Sequence, residues 1–225
     1  MKKGKFVKFS DFAFEVNPYP GLFIDIEGLD GSGATTQVRL LTLKFREHGV
    51  SAFDTKEPTS NIIGGLIRGI LKGDHTMIPM DAFQFLFVAD RRHHLQGEIT
   101  PILKNKHLLI TDRYLWSSVA FGSIDLDKKW LLSLHKYCYI PDITFFLKVR
   151  PRVCLKRKKL DKFALEFFEK EKQLKEIWKT YKWLGQQFPR YIITIDGEQP
   201  IDKVNEEIIF YIKKHPKFKN LKRRS

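Results

Sequence analysis

Two cysteines, Cys138 and Cys154, are all that the 225 residues contain, which excludes a disulfide framework and a multi-cysteine metal site. Long apolar runs are missing too: none approaches the roughly 18–20 residues that a membrane-spanning helix needs. The basic start Met1-Lys2-Lys3-Gly4-Lys5 meets Asp11 and Glu15 where a signal peptide would need its apolar stretch. Internal repeats and low-complexity linkers are absent as well. These absences predict a soluble, intracellular, cytoplasmic protein with no membrane partner. What remains is 43% apolar and 29% charged, a composition that buries a core, in a length that suits one domain.

The net charge of +14 resembles a nucleic-acid signature until it is located. Residues 213–225 contribute +7 with no acidic residue, and residues 1–20 contribute +2, leaving +5 for residues 21–212. Such a run reads as a solvated end rather than as an arm for nucleic acid. The chain therefore divides into an N-terminal extension over 1–20, one domain over 21–212 and a basic tail over 213–225.

Short apolar runs alternate with stretches of helical period, as a parallel α/β sheet requires. Candidate strands are Leu22–Glu27, Ser51–Thr55, His107–Thr111, Ile143–Val149 and Tyr191–Ile195. Three of them lack polar alternation, which suits strands covered on both faces. Helices are expected over Thr35–His48, 62–71, Met80–Leu103, a short stretch from Pro151, a long stretch from Leu165 to near Pro189, and Pro200–Lys214. Phe12, Phe14 and Val16 alternate, so the first twenty residues add an extended arm against the body or a partner.

Between the first main strand and helix lies Gly28-Leu29-Asp30-Gly31-Ser32-Gly33-Ala34-Thr35-Thr36. Glycines let backbone N–H groups turn inward around phosphate oxygens, and the helix N-terminus adds favourable potential. The spacing from Gly28 to Gly33 with Thr35 following fits a P-loop, whose hydroxyl would ligand Mg²⁺. Alanine stands at 34 where that motif expects lysine. Losing one preorganised charge stabiliser typically costs about 10²–10³ in rate. Either another cation replaces the lysine, or the protein binds nucleotides with little turnover.

His107–Tyr114 reads as a buried strand ending in Asp112 and Arg113. Ligand chemistry gathers at such strand ends in a parallel sheet. Asp112 could hold Mg²⁺ through water and Arg113 could grip a phosphate, or the two could form a structural ion pair. Phe87 and Arg91, four apart, share a helix face, where an aromatic plate beside a guanidinium can stack a base and donate to its carbonyl. Arg92, His93 and His94 read as surface or packing residues. Lys56-Glu57-Pro58-Thr59-Ser60 follows the second strand and lines an acceptor site or merely turns the chain. Arg150, Arg152, Arg157, Lys158, Lys159 and Lys162 form a basic cluster, either a solvated face or a lid closing cations over a transferring group.

With these motifs in this order, the chain resembles the thymidylate kinases, a branch of the P-loop nucleoside monophosphate kinases. The resemblance runs from about Leu22 to Ile212 and rests on Phe23–Gly33, Leu86–Arg91, Thr111–Ala120 and Pro141–Leu147. It implies a three-layer fold with five parallel strands flanked by helices, a short lid and a homodimer. By resemblance, Gly28–Thr36 cradle the ATP phosphates and Asp30 sits between the acceptor and the transferred phosphoryl group. Arg113 would hold the acceptor phosphate, Glu57 and Pro58 would line its loop, and Phe87 would stack on thymine while Arg91 reaches its carbonyl. Tyr114 and Phe121 would lie near the deoxyribose, and Gly197–Pro200 would flank the adenine. Three features depart from the family pattern: Ala34, a lysine at 162 where the lid carries arginine, and an acceptor loop without a double glycine. Lys162, or Arg157, is expected to supply the charge that Ala34 lacks. The expectation is an ATP- and Mg²⁺-dependent kinase converting dTMP to dTDP. The rivals are a kinase for another nucleotide, a nucleotide-binding protein with little turnover, and a nucleic-acid binder acting through the tail.

Overall fold

Leu22–Gly28 is buried at every position, and in the computed structural model it forms the central strand of a five-stranded sheet. The structure describes residues 6–10, 12–73, 78–158 and 164–223. The chain opens with β1 (Phe6–Phe9) and β2 (Phe12–Val16), then β3 (Leu22–Gly28) and α1 (Ala34–Glu47). β4 (Ala52–Lys56), α2 (Ile62–Lys72) and α3 (Met80–His94) follow. A π-helical turn over Leu95–Ile99 joins α3 to α4 (Thr100–Lys104). Next come β5 (Leu108–Asp112), α5 (Leu115–Gly122), α6 (Lys128–Leu134), β6 (Tyr139–Ile140), β7 (Ile143–Lys148) and α7 (Pro151–Arg157). α8 (Ala164–Gln187), β8 (Ile192–Asp196) and α9 (Ile201–Lys214) complete the chain, with a 3₁₀ turn over Pro216–Asn220.

The main sheet has the order β4-β5-β3-β7-β8 with every pairing parallel. Each expected strand is present within a residue or two. Strand alternation sends Leu22, Ile24 and Ile26 to one face, where Val38 and Leu41 of α1 and Val204 and Ile208 of α9 cover them. Phe23 lies on the other face, packed with α5, α8 and the Leu95–Leu103 segment. Each fully buried Leu, Ile or Phe in these layers contributes roughly 1.5–3 kcal/mol. The result is a three-layer α/β fold.

The expected single helix from Met80 to Leu103 is interrupted by the π turn. Leu95, Ile99 and Leu103 are all buried and repeat every four residues, a spacing that drifts around an α-helix. One widened turn takes up the surplus residue and keeps the three on the core side. α5 and α6 have no counterpart in the sequence reading. α5 buries Leu115, Trp116, Ser118, Val119 and Ala120 around its circumference, so no amphipathic stripe marked it.

The N-terminal arm lies against the body. β1 and β2 pair antiparallel, β2 adds in parallel to β6, and Phe14 is fully buried beside Trp116 and Phe188. The basic tail departs from its expected solvated end. Phe218 and Leu221 are buried, Phe218 packing on Phe45 at 5.6 Å between ring centroids. Apolar burial by these two residues anchors the backbone, while Lys219, Lys222 and Arg223 keep their charges at the surface. Lys217 donates to Asp142 at 2.7 Å, and the same carboxylate accepts from Asn17 and from the Phe23 amide. One aspartate thus ties tail, N-terminal segment and central strand together. Among the described residues no helix is long and apolar enough to cross a membrane.

Candidate active site

Parallel strands send all their carboxyl ends to one edge of the sheet, and the loops after β3, β4, β5 and β8 meet there. Those after β3, β5 and β8, with the end of α7, enclose a cleft of about 700 Å³, within the range for a nucleotide. The loop after β3 forms its floor. Gly31 and Gly33 take φ of 86° and 98°, left-handed values that glycine adopts without steric cost. A Cβ on Gly31 would also stand 2.6 Å from the Cys154 carbonyl oxygen of α7, so both backbone and neighbour demand glycine there. The loop delivers Ala34 as the first residue of α1, bordering the cleft and 5% exposed.

Thr35 and Asp112, expected as metal ligands, are brought together: the threonine hydroxyl donates to the carboxylate at 2.5 Å. Among the described residues no group of three His, Cys, Asp or Glu side chains could cage a metal alone. A hydroxyl and one carboxylate fit Mg²⁺, which usually retains waters and phosphate oxygens and takes only one or two protein ligands.

Three cations reach the cleft among the described residues that line it. Arg113 donates to Asp30 at 2.6 Å and to Ser117 at 3.1 Å. Its backbone is left-handed, with φ 71°, a conformation that costs a non-glycine residue about 1–3 kcal/mol. Its amide donates to the Ile26 carbonyl and its own carbonyl accepts from Thr111, which together hold it there. Arg157 donates to the Ser32 and Gly197 carbonyls at 3.2 and 3.1 Å, clamping the phosphate loop to the loop after β8. Lys158, the residue capping α7, donates to Asp30 at 2.6 Å. Burial opposes ionisation of Asp30, yet Arg113 and Lys158 outweigh it and hold its pKa below the usual carboxylate value. Lys162, expected to carry the missing charge, and the lid stretch around it lie outside the described residues.

A second cavity of about 500 Å³ opens between α3 and α5. Phe87 is half-buried on its wall, Phe83 lies 5.0 Å from it between ring centroids, and Pro58, Tyr114 and Phe121 line the remainder. The Arg113 guanidinium sits over the Phe121 ring at 5.0 Å. Asp30 and Arg113 line both cavities.

Arg91 lines the second cavity but is 1% exposed. Of its five N–H donors, one goes to Glu57 at 2.8 Å and others go to the Tyr114 carbonyl, the Ser118 hydroxyl and the His135 ring. Burial works against its charge, and Glu57 more than restores it. Burial, with Arg91 beside it, keeps His135 neutral by driving its pKa well below the usual value. Glu57 lines the same cavity and anchors Arg91 there: its carboxylate accepts from Arg91 and, at 3.0 Å, pairs with His94.

The reading of His94 as surface or packing is corrected in part. It is fully buried, and although burial opposes protonation, Glu57 and Glu98 raise its pKa to about 9. Spacing gave one hint, since Glu98 lies one turn on, but Glu57 is 37 residues away. Sequence reasoning also missed Glu27, a buried carboxylate on β3. It accepts from the amides of Tyr114 and Ser117, the Ser117 hydroxyl and the Tyr181 hydroxyl. It thereby caps the N-terminus of α5 from the phosphate-loop strand. Asp90 accepts from the amide and hydroxyl of Thr59 and fixes the loop after β4.

Comparison with known proteins agrees with this geometry. The family model described as thymidylate kinase matches residues 26–208. A probable thymidylate kinase of Methanocaldococcus jannaschii is 36% identical over 87% of this chain and 97% of its own. One from Pyrococcus horikoshii is 33% identical over 86% and 96%. A thymidylate kinase of Clostridium novyi is 31% identical over 86% and 98%. With a P-loop at the carboxyl edge of a parallel sheet and a second cavity meeting it at Asp30 and Arg113, the chain belongs to the thymidylate kinase family of phosphotransferases.

Proposed function

We propose that this enzyme transfers the γ-phosphoryl group of ATP to dTMP, giving ADP and dTDP. The observation that carries the reading is the shared wall: two cavities sized for nucleotides meet at Asp30 and Arg113. In-line transfer needs donor and acceptor phosphates held end to end, and positioning with charge neutralisation supplies most of the catalysis. The names of the relatives point to the same acceptor.

In this reading the backbone of Gly28–Thr36 cradles the donor phosphates. Arg113 holds the acceptor phosphate, because Asp30 and Glu27 keep its guanidinium charged against burial. Asp30 aligns Arg113 and stays ionised. The acceptor oxygen is already anionic, so no strong general base is required. Phe87 stacks the base, and Arg91, one turn further along the same helix face, reaches a carbonyl at its position 4, favouring thymine or uracil over cytosine. Tyr114, which presents an unpartnered buried hydroxyl among the described residues, and Phe121 shape the sugar end. Thr35 and Asp112 would hold Mg²⁺, which when bound neutralises phosphate charge. Arg157 and Lys162 add positive charge on the donor side, and Gly197–Pro200 border the adenine.

A homodimer accompanies this reading. Ile62 and Leu66 on α2 and Phe85 on α3 are exposed apolar side chains, and sedimentation equilibrium would read the association. The residue at 34 favours a second reading, a nucleotide binder with little turnover. ADP formation from ATP and Mg²⁺ with dTMP, dUMP, dCMP or no acceptor separates the two. The kinase reading expects turnover that depends on dTMP and is poor with dCMP; ATP binding with no acceptor-dependent ADP would support the second.

A further inference from the structure

The phosphate loop carries alanine where a lysine would contact the transferring phosphoryl group, yet another lysine, Lys158, still lines the cleft. We propose that the Lys158 ammonium takes over that contact, so that the cation absent from α1 is delivered by the end of α7. The inference rests on the phosphoryl-transfer reading above.

Three described cations line the cleft, and their partners distinguish them. Arg113 stands on the shared wall, bonded to Asp30 and Ser117, where it serves the acceptor side. Arg157 spends its two terminal nitrogens on backbone carbonyls, so its planar fork is committed to holding two loops together. Among the described residues the Lys158 ammonium has a single hydrogen-bond partner, the Asp30 carboxylate at 2.6 Å, and its side chain is 42% exposed. Its ammonium already stands within hydrogen-bond distance of a phosphate-loop side chain. A triphosphate carries several negative charges against the one on Asp30, so it competes effectively for this ammonium as it enters. The chemistry also matches: an ammonium on a flexible stem is a movable point charge, the property a P-loop lysine uses to follow charge as it shifts. Space at position 34 supports the exchange. Ala34 borders the same cleft, so cations from 34 and 158 converge on one volume.

A four-member cycle tests this: wild type, Lys158→Ala, Ala34→Lys and the double variant. Loss of one preorganised charge should lower kcat of Lys158→Ala by about 10²–10³, with the acceptor KM little changed. Lysine at 34 should restore the double variant to within about tenfold of wild type, and Lys158→Arg should retain part of the rate. Lys162→Ala, taken through the same cycle, should lose similar activity with and without lysine at 34. Equal losses for Lys158→Ala in both backgrounds, or an unchanged kcat, would overturn the proposal. A binding readout makes the test independent of the acceptor. Losing a charge-assisted contact to the γ-phosphate should weaken ATP binding by about 10-fold or more and leave ADP binding unchanged. A preserved ATP-over-ADP preference in Lys158→Ala would also refute it. If wild type forms no dTDP, the acceptor reading fails, and this preference still decides the role of the lysine.

Discussion

Replacing Glu57 by glutamine removes one negative charge from a site where two positive groups depend on it. The Arg91 and Glu57 side chains are 1% and 4% exposed and stand 2.7 Å apart, so water cannot compensate the loss. Removing one partner of a buried pair leaves an uncompensated charge and costs about 3–5 kcal/mol. His94 adds a pH signature. Its folded pKa of about 9, against an ordinary 6.5, corresponds to roughly 3 kcal/mol of stabilisation. A raised pKa makes this contribution complete below pH 6.5, and it is lost as pH rises through 9. Part of it comes from Glu57 and part from Glu98. Urea unfolding at pH 6, 7.5 and 9.5 should show wild type losing up to about 3 kcal/mol from this group across the series. Glu57→Gln should start about 3–5 kcal/mol lower at pH 6 and decline less steeply, because His94 then titrates nearer its ordinary value. The dTMP KM should rise as Arg91 loses its anchor. A variant within about 1 kcal/mol of wild type at pH 6, with a parallel pH dependence, would refute the reasoning.

Two further substitutions probe the loop and the tail. Gly31→Ala forces a side chain into a left-handed position against the Cys154 carbonyl, and ATP affinity by fluorescence titration should fall by about tenfold or more. Gly33→Ala, where a Cβ meets no atom within 4 Å, should cost less; equal affinities for wild type and Gly31→Ala would contradict the close-approach argument. Phe218→Ala empties a buried site against Phe45 and should lower unfolding stability by about 3 kcal/mol while leaving kcat/KM unchanged. Unaltered urea stability would mean that the tail is not anchored by this ring.

Local signals carried much of the fold. The β3–loop–α1 unit was legible because a buried run without alternation, three glycines and a stripe of Val38, Leu41 and Phe45 sit in sequence. Phe87 and Arg91 were legible as one helix face. What escaped was either uniform or remote. α5 is apolar on all sides, so its period carried no contrast. Phe218 and Leu221 were masked by the lysines between and around them, although their three-residue spacing buries both. His94 owes its charge to Glu57, brought close only by the sheet. Lys158 is one of several basic residues in a row, and nothing in such a run says which side chain turns inward. The commitment of Arg157 to two carbonyls is likewise a product of loops that meet only in the folded sheet.

The most direct measurement is the fate of ATP and dTMP incubated with the wild-type chain and Mg²⁺, with all nucleotides separated and quantified over time. dTDP and ADP should appear in equal amounts, with ADP absent when dTMP is withheld. ATP that binds in the cleft while dTMP remains unphosphorylated would contradict the kinase reading.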